Sequence, residues 1–181
     1  MKTPRILLSL AALLLALPAA LPAQDDPAAA NKALVRRYLT EVLSAGHLDQ
    51  LDQLLAPGFV DSTPGAPTDK RGPAVVRDAQ QRAREIFPEV EYQVDDLIAE
   101  GDKVVARYTV RATSRGGGSG PGRPIRVTGM TVFRLGEGKI QEIWTVNDQI
   151  EMFLQLGYTL QPPQPQEPPP APVPAAPPAR P

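Results

Sequence analysis

Between residues 26 and 158 the hydrophobic pattern changes period once, from helical spacing to strict alternation. Asp26-Pro27 pairs a helix N-cap with a first-turn proline. Leu34, Val35, Tyr38, Leu39, Val42 and Leu43 then form one apolar stripe at helical period, and Gly46 supplies a stop. A short second helix over residues 48–55 turns Leu48, Leu51, Leu54 and Leu55 inward, and Pro57-Gly58 ends it. Phe59-Val60-Asp61 reads as a brief extended piece, and residues 62–71 as a loop rich in turn formers. Gly72-Pro73 opens a third helix whose buried face is Val75, Val76, Ala79, Ala83, Ile86 and Phe87, closed by Pro88.

Everything after Pro88 reads as strand. Val90, Tyr92 and Val94 alternate with polar residues, and Leu97-Ile98-Ala99 continues to a turn at Glu100-Gly101-Asp102. Val104, Ala106, Tyr108, Val110 and Ala112 share one face of the next strand, opposite Arg107, Thr109, Arg111 and Thr113. Residues 115–123 are a glycine-rich hairpin loop, followed by strands over 124–135 and 139–147 joined by a tight turn at Gly136-Glu137-Gly138. A last helical turn covers 149–156 and stops at Gly157. Helices first and a strand meander afterwards predict an α+β fold, with helices packed on one face of an antiparallel sheet. If that sheet curves around the helices it encloses a pocket, apolar with a few polar groups.

Neither end of the chain fits this pattern. Residues 1–23 carry Lys2 and Arg5, an apolar run from Ile6 to Leu17 broken only by Ser9, and then Pro18, Pro22 and Ala23. That order is the order of a secretion signal. The run is too short to span roughly 30 Å of hydrocarbon as a helix. An uncleaved anchor is the alternative. Cleavage after Ala23 predicts a secreted or periplasmic protein with no stable membrane insertion. Residues 24–160 form the domain. Eleven of the 22 prolines lie in residues 161–181, a composition that favours a solvated, disordered tail, with a proline-motif ligand as the alternative.

Charge and composition narrow the function classes. There are 19 basic and 20 acidic residues, and loss of Lys2 and Arg5 would move the net charge from −1 to −3. No basic stripe points to a nucleic acid. Cysteine is absent and His47 is the single histidine, which excludes a thiol nucleophile and a multi-histidine metal cluster. No metal or cofactor is expected.

Three stretches carry a family resemblance. The first is Asn31–Tyr38 (NKALVRRY) with Leu51–Asp61 (LDQLLAPGFVD); the second is Phe87-Pro88 with Asp96–Thr109 (DLIAEGDKVVARYT). The third runs from Phe133-Arg134 through Gly138-Lys139-Ile140 to Trp144–Gln149 (WTVNDQ), closing with Gln155-Leu156-Gly157. In order and spacing these resemble the SnoaL-like polyketide cyclases, or ester cyclases, of the NTF2-like superfamily, over about residues 30–158. The resemblance implies a cone-shaped fold. It also implies an aspartate at the end of the last strand acting as acid and base in an aldol ring closure, and the matching position is Asp148. Many relatives have histidines where this chain has Ser62 and Ile143. Dimerisation through the outer sheet face, common in relatives, implies a homodimer.

An aldol closure needs a base beside a carbon acid and a hydrogen-bond donor beside the carbonyl oxygen. A carboxylate in a dry hollow suits the first role, because burial raises its pKa. If the last strand stays regular, Trp144, Val146 and Asp148 face one side together. The candidate site is therefore Asp148 as acid/base, with Trp144, Tyr38, Tyr108, Asp61 and Thr128 lining or donating. Asp148 is equally placed to cap the helix that follows it. The aromatic residues also suit core packing, and Asp61 an exposed loop. Arg107, Arg111, Arg126 and Arg134, at alternate positions on neighbouring strands, mark a solvated or dimer-facing surface. Three functions remain in view: a cofactor-free cyclase or isomerase for a small apolar carbonyl compound, a non-catalytic carrier of such a molecule, and a dimeric interaction module.

Overall fold

The computed structural model describes residues 26–161 apart from residue 68 and residues 117–120. The expected signal, nearly all of the expected tail and the tip of the glycine-rich loop lie outside the described residues. Helix α1 (Pro27–Arg37) starts where Asp26 Oδ1 accepts the Ala28 amide at 2.9 Å. It runs on without a break as a π-helical segment over Tyr38–Ser44. A 3-10 turn (Leu48–Gln50) leads into α2 (Leu51–Leu54), followed by β1 (Leu55–Asp61), α3 (Ala74–Ile86), β2 (Glu89–Glu100), β3 (Lys103–Thr113), β4 (Pro124–Gly136), β5 (Lys139–Asn147) and α4 (Gln149–Gln155). Among the described residues, no helix is long and apolar enough to cross a membrane.

The five strands form one curved, unclosed sheet in the order β1-β5-β4-β3-β2. β2 to β5 are the expected antiparallel meander. β1 differs from expectation in two ways. It starts at Leu55, where the sequence predicts the end of the second helix, and it lies parallel to β5, with Leu55 opposite Ile140 and Asp61 opposite Ile143. The sheet is therefore mixed, with one parallel edge. Glu137 and Gly138 take positive φ (54° and 70°), the conformation a two-residue hairpin between right-twisting strands requires.

The helices pack on the concave face. Val35, Leu39, Val42, Leu51, Leu54 and Val76 meet Phe59, Val104, Ala106, Phe133 and Ile140 in one core cluster. Side chains alternate along β4: Ile125, Val127, Thr131, Phe133 and Leu135 are buried, while Arg126, Thr128, Met130 and Arg134 are exposed. Arg107, Arg111, Arg126 and Arg134 all lie exposed on the outer face. The expected buried face of α3 holds only in part: Val75 and Val76 are buried and Ala83 and Phe87 half-buried, but Ala79 is exposed and Ile86 is 57% exposed. Arg84 ties the end of α3 to the π-helical segment, its guanidinium donating to the carbonyls of Leu43 (2.8 Å) and Ser44 (3.1 Å), and also to that of Pro88 (3.2 Å). It satisfies carbonyls that the end of the preceding helix leaves free.

Candidate active site

A hollow of about 120 Å³ lies between the helices and the inner face of the sheet. The π-helical segment contributes Tyr38, Leu39 and Leu43; β1 ends in it at Asp61; β2 and β3 bring Tyr92 and Tyr108. β4 adds Thr131 and Phe133, and β5 adds Ile143, Thr145 and Asn147. The wider π turn is an uncommon conformation that recurs at functional sites, and here it begins at a cavity residue. Gly129 on β4 makes room for the polar end of the hollow. A Cβ there would collide with Asn147 Oδ1 and would come within 2.8 Å of the Tyr108 ring.

The inner hydroxyls form a directed chain. The Tyr108 hydroxyl donates to Asn147 Oδ1 at 3.1 Å. It therefore accepts from Thr131 at 3.0 Å, and Thr131 in turn accepts from Thr145 at 2.9 Å. The Asn147 amide keeps both its N–H donors. Asp61 is turned by its own loop: its Oδ1 accepts the Thr63 amide at 3.0 Å, and Thr63 Oγ1 accepts the Thr145 amide at 3.1 Å. Asp61 is the single carboxylate among the residues lining the hollow.

Burial raises the pKa of all three phenols. The Tyr38 hydroxyl is pushed far above its usual range, first by desolvation and then by Tyr92, Asp61 and Tyr108 nearby. Tyr92 is raised by burial and by Tyr108, against a smaller opposing pull from Arg84. Tyr108 is raised by burial, partly offset by the Thr131 and Thr145 hydroxyls. At neutral pH these groups are proton-bearing donors. Outside the hollow, Glu142 is lowered by hydrogen bonds from Ser62 (2.6 Å) and Arg134 (3.0 Å).

The structure brings Tyr38, Tyr108 and Asp61 together and leaves Asp148, Trp144 and Thr128 elsewhere. Asp148 is exposed, and its carboxylate caps α4 by accepting the Glu151 amide at 3.0 Å. Trp144 is 47% exposed on the outer face opposite Val132, and Thr128 is exposed further along β4, where its carbonyl accepts the Asp148 amide at 3.1 Å. The cause is a bulge. Leu135 faces Ile140 but Arg134 faces Glu142, so Gln141 is an extra residue. Alternation counted from buried Ile140 would carry Trp144 and Val146 inward. The bulge reverses it, and Ile143, Thr145 and Asn147 face the hollow instead. Thr145, Asn147, Thr131 and Tyr92 were not among the expected site residues. Two isoleucines three apart, both buried, were the available sign of the reversal. Ser62 lies outside the hollow, Ile143 forms part of its wall, and His47 is exposed. Among the described residues, no group of three or more potential metal ligands is gathered.

The family model for SnoaL-like polyketide cyclases matches residues 33–156. No curated protein matches the chain. Among solved structures, TsrD from Streptomyces laurentii is 28% identical with a TM-score of 0.62, over 71% of this chain and 96% of its own. IdmH from Streptomyces antibioticus, a proposed polyketide cyclase, is 29% identical with a TM-score of 0.63, over 71% of this chain and 99% of its own. A proposed polyketide cyclase from Acidithiobacillus ferrooxidans is 25% identical with a TM-score of 0.64, over 70% of this chain and 94% of its own.

Proposed function

Because the chain belongs to the SnoaL-like polyketide cyclase family, we propose that it moves a proton at a carbon next to a carbonyl, inside the concave hollow and outside the cytoplasm. The observation that carries this reading is the placing of Asp61, one carboxylate among three protonated tyrosines. Asp61 takes the proton from the carbon acid. The electron pair moves into the carbonyl, and the enolate oxygen accepts hydrogen bonds from the Tyr38 hydroxyl or the Asn147 amide. The proton on Asp61 then returns either to a different carbon, an isomerisation, or to the oxygen of a second carbonyl attacked by the enolate, an aldol closure. The substrate's own carbonyl acidifies the carbon, so the scheme needs no cofactor. The leader composition of residues 1–23 supports the location.

The test is exchange of the α-protons of 2-butanone in D2O, followed by proton NMR. The wild-type protein accelerates exchange, and Asp61→Asn loses at least about 100-fold of that acceleration, the range general-base groups contribute. Equal rates for the two proteins would remove Asp61 from the reaction.

A second reading concerns assembly. Ile98, Val105, Val132 and Trp144 stand opposite one another in register across four strands of the outer face. Ile98 is 61% exposed, and Met130 and Val146, each 52% exposed, extend the row. A contiguous exposed apolar row of this kind is how the core of an interface looks before it is covered. Its proposed occupant is a second copy of the chain, giving a homodimer whose two hollows face away from the contact.

A further inference from the structure

We infer that the substrate is a short-chain oxo acid, with its ketone in the inner hollow and its carboxylate held by Arg82 in the hollow next to it. The inference rests on the proton-transfer reading and deepens it. The first argument is size. The inner hollow holds about 120 Å³. An apolar cavity of about 150 Å³ takes one benzene, and pockets for drug-sized ligands run from about 300 Å³ upward. The inner hollow alone does not hold a fused-ring system; the ketone end of a small molecule fits it.

The second argument is adjacency. A separate hollow of about 230 Å³ lies between the loop after β1 and the outer side of α3, and it shares Asp61 and Ala79 with the inner one. Asp61 is thus a wall of both, and the proposed ligand reaches from one hollow into the other past its side chain. The ligand's reacting carbon then sits at the shared wall.

The third argument is charge. Four charged groups face the outer hollow: Asp61, Lys70, Asp78 and Arg82. Lys70 Nζ is paired with Asp78 Oδ2 at 3.4 Å. Asp61 is held by the Thr63 amide. Arg82 makes no ion pair among the described residues, so it is the group left to recognise an anion. Its planar fork suits a carboxylate held by two parallel N–H bonds. Val75 and Pro67 supply the apolar wall along which the carbon chain runs.

The experiment uses the full mature chain and three measurements. Binding of 4-oxopentanoate and of its methyl ester is measured by calorimetry on wild type, Arg82→Gln and Arg82→Lys, with circular dichroism confirming that each variant is folded. The acid binds about tenfold more tightly than the ester, R82Q brings the acid down to the ester's affinity, and R82K recovers part of the difference. Equal affinities for acid and ester, an R82Q protein that still prefers the acid, or no saturable binding of the acid would overturn the inference. Arg82-dependent binding of the acid with no exchange of its α-protons in D2O would sink proton transfer and leave the ligand assignment standing. Exchange of 2-butanone with no preference for the acid would do the reverse.

Discussion

The two aspartates at the sheet's rim differ in what their carboxylates touch. Asp148 accepts the Glu151 amide at the start of α4 and stands in solvent, while Asp61 accepts the Thr63 amide and lines the hollow. Each is held by a local backbone hydrogen bond, and the direction of the chain decides which one reaches a substrate. Asp148→Ala therefore behaves as the loss of a helix cap. It lowers stability by about 1 kcal/mol in urea unfolding and leaves α-proton exchange at the wild-type rate. A collapse of exchange in folded D148A would restore that residue to the chemistry. Tyr38 and Tyr108 were legible in the sequence because each lies on a regular apolar stripe. Asp61 was named as a possible lining residue with an exposed loop as the alternative, but not as the acid/base, since nothing local to it records that β1 pairs parallel with β5 and delivers it to the concave face.

The strands carry the lesson of register. β3 was legible residue by residue, because Val104, Ala106 and Tyr108 alternate with Arg107 and Thr109 without interruption. β2 and β5 each contain one extra residue, Asp95 and Gln141, and each bulge changes which parity faces inward. Asp95 uses the kink. Its Oδ2 accepts from Thr109 at 2.8 Å and from Arg107 at 3.4 Å, so a carboxylate on an edge strand is tied down across the bulge. β2 also bears Glu89, Glu91, Asp96 and Glu100, exposed acids that discourage another strand from pairing with this edge. A further open stretch, besides the outer edge of β1, is the part of β4 beyond its pairing with β5. There Gln155 of α4 imitates a strand: its Oε1 accepts the Arg126 amide at 2.6 Å and its Nε2 donates to the Arg126 carbonyl at 3.0 Å. The loss of that pair in Gln155→Ala costs about 1–2 kcal/mol, seen as a lower urea midpoint with an unchanged slope. An unchanged midpoint would mean that water replaces the amide at no cost.

At the scale of the whole molecule, the fold was readable from the order of elements, and the hollow follows from helices lying in the bend of the sheet. Beyond Tyr38 and Tyr108 on the regular elements, which groups of β1 and β5 look into it was not readable, because that depends on one-residue irregularities and on a parallel edge. The buried phenols give the molecule an alkaline limit. Their folded pKa values lie above the unfolded value near 10, so the folded state holds protons that the unfolded chain releases. The stability they contribute is complete below about pH 10 and is lost as pH rises beyond it. Urea unfolding between about pH 9 and 11.5 shows falling stability, and Tyr38→Phe makes the fall shallower; a flat profile would place these hydroxyls in water. The apolar row on the outer face predicts a dimer by light scattering and a monomer for Trp144→Arg, whereas identical masses would exclude that face.

The account turns on which side of β5 meets the ligand, and the sole tryptophan supplies the control. In a ¹⁵N NMR titration with 4-oxopentanoate, the backbone amides of Asp61, Thr131 and Thr145 shift with saturation while the Trp144 indole N–H stays where it was. Movement of the indole together with the Asp148 amide, and none at Asp61, would contradict it.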